Sequence, residues 1–235
     1  MDSSRVNAFK RLLAMSLTAI AVMASSACTM TQPTLQETRE LELSVPPDSR
    51  FTIDAGAGSL ALQGEAASDV IRVTAEIYQV EPNDNYLLSL GALEDGGSAL
   101  IAIAGDRRSP GNDRIDLSIR VPESLQVSIR DGSGSLSVSD LAGGLVIDDG
   151  SGSMRVENIG GNVVIDDGSG SISVRNVDGD LTIDDGSGSI TARDISGKVT
   201  VDDASGSINV DGAADFELID DGSGSVNLDN IRSRD

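Results

Sequence analysis

Residues 148–153 read DDGSGS, and the same six letters return at 166–171, 184–189 and 220–225, with DDASGS at 202–207. The shorter form DGSGS begins at 131, 149, 167, 185 and 221, and DASGS begins at 203, so each copy starts eighteen positions after the one before. A fixed period of this length marks an architecture in which each repeat is one structural unit. Between the copies lies a second, weaker turn: DLAGG at 140–144, NIGGN at 158–162, NVDGD at 176–180 and DISGK at 194–198.

The two halves of each period resemble one another. GSISV at 170–174 and GDLTI at 179–183 share the order Gly, polar, apolar, polar, apolar, nine residues apart. Alternation of this kind is the signature of a strand, whose successive side chains point to opposite faces. Ile172 and Val174 then point inward with Ser173 and Arg175 outward, and Leu181 and Ile183 point inward with Thr182 outward. Val177 and its equivalents Leu141, Ile159 and Ile195 fill the second corner. A nine-residue unit of strand and turn cannot bury its apolar side alone, but stacked coils can, each pairing with the next at about 4.8 Å. Residues 129–231 therefore read as six coils of a parallel β-solenoid, two short strands per coil, about 29 Å long at that spacing.

One copy lies far upstream, since IDAGAGSLAL at 53–62 aligns without gaps with IDDGSGSISV at 165–174. Residues 41–128 read as wider, irregular β coils that continue the stack and cover its N-terminal end, with a short helix expected around Tyr86–Leu93. The last coil breaks the pattern. Counting back one full period from the end of that coil puts Glu217 at the inward place of Val199, so a bulge or a shifted register using Phe216 and Leu218 is expected there. A solenoid must also cap its open edges. Phe216 and the charged tail Arg232–Asp235 are the candidates at the C-terminal end.

The chain has 235 residues, a formal charge of −21, no His, no Trp, two Tyr and three Phe. A core built without aromatics must use small branched residues in thin layers. The acidity argues against nucleic acid as a partner, because phosphate binding needs clustered Lys and Arg. It equally disfavours docking on an anionic membrane through side chains, and it keeps an edge-rich β protein soluble.

Residues 1–27 read as a secretory signal peptide: Arg5, Lys10 and Arg11 precede a 13-residue apolar stretch at 12–24, too short to span a membrane stably, and small residues follow. Cys28, the only cysteine, stands where a bacterial lipoprotein carries its lipidated N-terminus. Ser25-Ser26-Ala27-Cys28 resembles a lipobox with Ser25 where Leu is usual, and ordinary cleavage after Ala24 or Ala27 is the alternative. Thr29, not Asp, follows the cysteine, which by resemblance to other lipoproteins points to the outer membrane; an exported periplasmic or cell-surface protein is the broader expectation. Lipid would be the only membrane contact, holding a soluble domain by acyl chains. Cleavage before Cys28 removes Arg5, Lys10, Arg11 and Asp2 and takes the net charge from −21 to −23. Residues 28–40 are polar and read as a flexible tether.

The segment IRVPESLQVSI at 119–129, followed by DGSGSLSV and repeated strands of the form Gly-Asp-apolar-x-Ile, resembles the bacterial putative-adhesin family, a domain-of-unknown-function group. The resemblance covers residues 40–231 and rests more on IRVPESL than on the Gly-Ser turns, which any solenoid can use. It implies a right-handed β-solenoid on a secreted or lipid-anchored, adhesin-like protein, and it carries no catalytic residues.

Three readings of the DDGSGS turn stay open. In the first it is structural: Gly supplies positive φ or close backbone approach, and Asp and Ser bond to nearby backbone N–H groups. In the second it binds calcium. Stacking puts Asp148, Asp166, Asp184, Asp202 and Asp220 in one column and Asp131, Asp149, Asp167, Asp185, Asp203 and Asp221 in another along the same edge. Unit charges about 4.8 Å apart repel by about 0.9 kcal/mol even at water's dielectric, so the ladder calls for solvation or a neutralising ion such as calcium. In the third, an ordered polar face binds something extended, such as a glycan or another envelope protein, through outward Ser137, Arg155, Ser173, Thr191, Asn209 and Asn227. An enzyme is disfavoured. There is no His for a nucleophile–base pair or a metal-hydrolase site, and repeated identical acids fit a ladder better than one unique carboxylate pair. The expectation is a non-catalytic envelope protein without an obligatory cofactor.

Overall fold

The computed structural model describes residues 32–105 and 112–232. The signal peptide, Cys28 and residues 233–235 of the tail lie outside the described residues. Seventeen strands and no helix occur among those described. The first seven are β1 (Thr34–Ser44), β2 (Arg50–Ala55), β3 (Leu60–Glu65), β4 (Val70–Gln79), β5 (Tyr86–Ala92), β6 (Ser98–Ala104) and β7 (Arg114–Pro122). The regular repeats supply β8 (Gln126–Asp131), β9 (Gly134–Leu141), β10 (Leu145–Asp149), β11 (Gly152–Ile159), β12 (Val163–Asp167), β13 (Gly170–Val177), β14 (Leu181–Asp185), β15 (Gly188–Asp203), β16 (Gly206–Asp221) and β17 (Gly224–Ile231).

Alternation fixes which side chains are inside. In β12 Val163, Ile165 and Asp167 are buried while Val164 and Asp166 are exposed; in β13 Ile172, Val174 and Val177 are buried. Each residue pairs with its equivalent one period on, as in Ile147 with Ile165 and Ile165 with Ile183. Stacking like on like gives one continuous core of Val, Ile, Leu and Ala, in which Phe51 is the only fully buried aromatic among the described residues. The six regular coils run from β8–β9 to the end of β16 and β17.

Parallel pairing lines up two faces. One runs β7, β3, β9, β11, β13, the first half of β15, the first half of β16, then β17. The other runs β6, β2, β8, β10, β12, β14, then the second halves of β15 and β16. The early copy is thus a true coil, with Phe51 beside Val127 and Leu60 beside Leu136. It does not sit at the end of the stack. The chain leaves it and returns through β6 and β7, which form an eighth coil on its far side.

The N-terminal end is closed by antiparallel strands. β4 pairs with β7 and β1 with β4 on one face, and β5 pairs with β6 on the other. Tyr86 on β5 donates its hydroxyl to Glu37 on β1 at 2.9 Å, tying the two edge strands across the end. Charged Glu37, Arg39, Glu40 and Glu42 mark β1 as an edge that resists further pairing. Two expectations need correction here. Where a helix is expected around Tyr86–Leu93, strand β5 occupies Tyr86–Ala92, because Tyr86, Leu88 and Leu90 pack their alternate side against the core. The tether is shorter than its polar composition suggests, since β1 takes residues 34–40 into the sheet through pairing with Glu76 and its neighbours.

At the other end the shifted register is present. Phe216 pairs with Val199 and Leu218 with Val201, and the regular register returns only at Asp202 with Asp220, leaving Ile219 as the extra residue. Phe216 packs against the core, but Leu218, Ile219 and Leu228 are exposed, so Phe216 alone does not cap this end.

Candidate functional site

The first corner is built by DDGSGS, with RDGSGS at 130–135 in the first regular coil and DDASGS at 202–207 in the fifth. In an extended strand adjacent residues face opposite ways, so the two acids separate. Asp148, Asp166 and Asp184 point outward and are exposed, Asp202 is partly exposed, and Arg130 pairs with Asp148 at 3.0 Å on that outer side. Asp131, Asp149, Asp167, Asp185 and Asp203 point into the coil and are only 4, 3, 2, 1 and 0 % exposed. Asp220 and Asp221, in the last coil, are exposed and half-buried. The expected pair of columns along one edge is therefore one column outside and one sealed inside. The sequence held the signal: Leu145 in, Val146 out, Ile147 in, Asp148 out puts Asp149 inside by the same alternation.

Each inner carboxylate closes a tight turn. One oxygen accepts a backbone N–H two residues on, from Ser151 at 3.3 Å, Ser169 at 3.2 Å, Ser187 at 3.0 Å and Ser205 at 3.0 Å; Asp131 instead accepts from Gly132 at 2.9 Å. This is the Asx-turn chemistry that favours Asp at corners. The ladder also runs through the corner, since Gly168 donates its N–H to the Asp149 carbonyl at 2.9 Å and Gly186 to that of Asp167 at 2.8 Å. Glycine is required two positions further on. Gly170 has φ +145°, and a Cβ there would lie 1.7 Å from the carbonyl oxygen of Gly152.

The second oxygen of all five inner acids is buried without a hydrogen-bond partner. Burial penalises the charged form, so these groups hold their protons more tightly than an ordinary aspartate. Asp131 is pushed up to about 7 by burial and then by the charge of Asp149. Asp185 is pushed up to about 6, mainly by burial, against the opposing Ser187 N–H bond and with added repulsion from Asp167, Asp203 and Asp184. Asp149, Asp167 and Asp203 shift the same way, with burial the main cause in each.

The second corner solves the same turn differently. Asp140, Asn158, Asn176 and Asp194 occupy one place in successive coils at φ of +63°, +59°, +55° and +57°. Left-handed backbone is costly for most side chains but tolerated by Asn and Asp, and Gly212 at φ +79° takes the same place in the next coil. Their side chains form a ladder. Gln63 donates to Asp140 at 3.1 Å, Asn158 to Asp140 at 2.8 Å and Asn176 to Asn158 at 2.9 Å. The bond from Asn158, then that from Ser139, holds Asp140 below the usual carboxylate range. The sequence showed one Asp or Asn per coil at this corner; that each sits in the left-handed region and bonds to the next was not visible in it.

Of the expected calcium ligands, the structure brings together only like with like, one acid per coil on each side of the strand. No group of three or more His, Cys, Asp or Glu is placed to hold a metal ion among the described residues. Calcium takes six to eight oxygens, and the inner and outer acids face opposite ways. The outward row is in register as expected: Arg155 pairs with Ser137 and Ser173, Thr191 with Ser173 and Asn209, and Asn227 with Asn209, whose side chains bond at 3.0 Å.

No family model and no curated protein matches the chain. Solved structures do align with it. One is described as a putative cell adhesion protein from Clostridium sporogenes, at 14% identity and TM-score 0.41, covering 82% of this chain and 99% of that one. A putative adhesin from Bacteroides fragilis aligns at 14% identity and TM-score 0.48, covering 84% and 99%. A third, a putative adhesin from Parabacteroides merdae, aligns at 10% identity and TM-score 0.29, covering 82% and 96%. The architecture of this chain rests on its own register, in which parallel strands one period apart stack residue on equivalent residue.

Proposed function

We propose that this protein is a non-catalytic, adhesin-like binding surface of the bacterial cell envelope, exported by its N-terminal signal and held to the membrane by lipid on Cys28. The observation that carries this reading is the in-register outward row Ser137, Arg155, Ser173, Thr191, Asn209 and Asn227, which offers one polar group per coil at strand spacing. A regular row of donors and acceptors suits an extended partner, either a glycan or another envelope protein. The most perturbed acids are out of reach of a substrate, which argues against a carboxylate-based active site.

Binding of the full chain to bacterial surface glycans and to solubilised envelope proteins tests the reading. Replacing Ser173 and Thr191 by Glu should abolish binding while leaving the fold intact. Unchanged binding, or hydrolysis of a glycan probe, would overturn it. Separately, Cys28→Ala should move the protein from the membrane fraction to the soluble one; if it stays with the membrane, lipid is not its anchor.

A further inference from the structure

The inner acids form a cluster that the binding surface does not use. Five carboxylates stand in one column, each the register partner of the next, from Asp131 through Asp149, Asp167 and Asp185 to Asp203. That pairing sets their backbones about 4.8 Å apart. Each spends one oxygen on a backbone N–H and turns the other, unpartnered, into the buried interior. The buried side chains that follow each corner, Leu136, Met154, Ile172, Ile190 and Ile208, are apolar.

The charges that act on the column are all acids: its own members, the outward Asp148, Asp166, Asp184 and Asp202, and Asp221 beyond its last member. Arg130 faces outward, against Asp148. Toward the N-terminal end the column stops, because Ala55 and its partner Ala102 occupy the equivalent place in the next two coils. An acid is therefore not needed merely to fill the corner.

Five buried carboxylates in a file, with no cationic side chain beside them among the described residues, cannot all be ionised at ordinary cost. We propose that the inner aspartate column is a proton-binding site, filled as the coils stack, so that the folded solenoid carries several protons that the unfolded chain has released and its coils loosen as the medium turns alkaline. The protons are shared along the column and belong to it as a whole. A lone proton on each second oxygen removes the like-charge repulsion between neighbours and the cost of burying a charge. The device is built into the coils that carry Asp131 to Asp203; the two N-terminal coils, with Ala at the inner place, lack it.

Denaturant unfolding of the full chain at about pH 5, 7 and 8.5 reads the effect, together with proton release on unfolding in weak buffer near neutrality. The folded-to-unfolded ratio should fall more than about tenfold over that range, with net proton release when the chain unfolds. General relief of surface repulsion in acid would mimic part of this, so two variants separate the causes. Asp167→Asn with Asp185→Asn should flatten the pH dependence and reduce the proton release. Asp166→Asn with Asp184→Asn removes the same charge from the outer column and should leave the slope near that of the parent. High salt should weaken a surface effect but not the inner one. Stability that is flat or rises toward alkaline pH, or outer and inner variants that behave alike, would overturn the proposal. If the inner variants do not fold, the parent's proton release still decides, and its absence counts against the column.

Discussion

Asp131 and Asp140 lie nine residues apart in one coil and meet opposite fates. Asp131, at the first corner, is sealed inside and pushed up to about 7; Asp140, at the second, lies at the surface under hydrogen bonds from Asn158 and Ser139 and is held below the usual range. The backbones differ as well. Stacked chains nearly touch at glycines of both corners, but only the second adds Asn and Asp in left-handed conformation whose side chains bond along the stack. One repeat thus contains a corner closed around buried acids and a corner that carries a surface ladder of side chains. What separates the two is the side of the strand on which each residue falls.

The comparison can be broken most forcefully at the glycines. Gly170→Ala places a Cβ 1.7 Å from the Gly152 carbonyl at a φ that side chains avoid. A loss of about 4 kcal/mol or more is expected in denaturant melts, or no folding. Gly91→Ala, where nothing lies within 4 Å and φ is ordinary, is the matched control and should stay within about 0.5 kcal/mol of the parent.

The acids give the next largest effect, with a sign that depends on pH. A carboxyl whose folded value is raised keeps its proton in the folded chain at pH values where the unfolded chain has lost it. Its contribution is therefore fully present below the unfolded value of 3.8 and is lost as pH rises toward about 7. Asp185→Asn should accordingly stabilise the protein by about 1–2 kcal/mol near pH 8 and have little effect near pH 4. The smallest effect is expected at the second corner. Asn158→Ala removes the bond to Asp140 and the amide that tolerates left-handed backbone, and should cost about 1 kcal/mol at either pH by the same melts.

Much of this was legible in the chain. The constant period of the DDGSGS turn identified the coil, alternation identified Ile172, Val174, Leu181 and Ile183 as inward, and the misfit of Glu217 foretold the register shift at Phe216 and Leu218. What escaped was set by distant parts of the chain. YLLSLGA at 86–92 carries no decisive period, and only its pairing with β6 makes it a strand. The order of coils within 41–128 was not legible: β6 and β7 fold back outside the coil at 50–65, a contact between segments that lie far apart in the sequence. At the corners the DD pair reads as two acids on one edge when treated as a motif, but it is also two consecutive positions of a strand. Burial and the orphaned oxygens follow from that single change of face.

Titration of the side-chain carboxyl carbons of the folded full-length protein by NMR tests the contrast between the corners directly. The inner column should titrate above the ordinary aspartate range, with Asp185 near about 6 and Asp131 near about 7, while Asp140 titrates below it. Inner carboxyls that titrate together with Asp140 near or below the usual 3.8 would contradict the account.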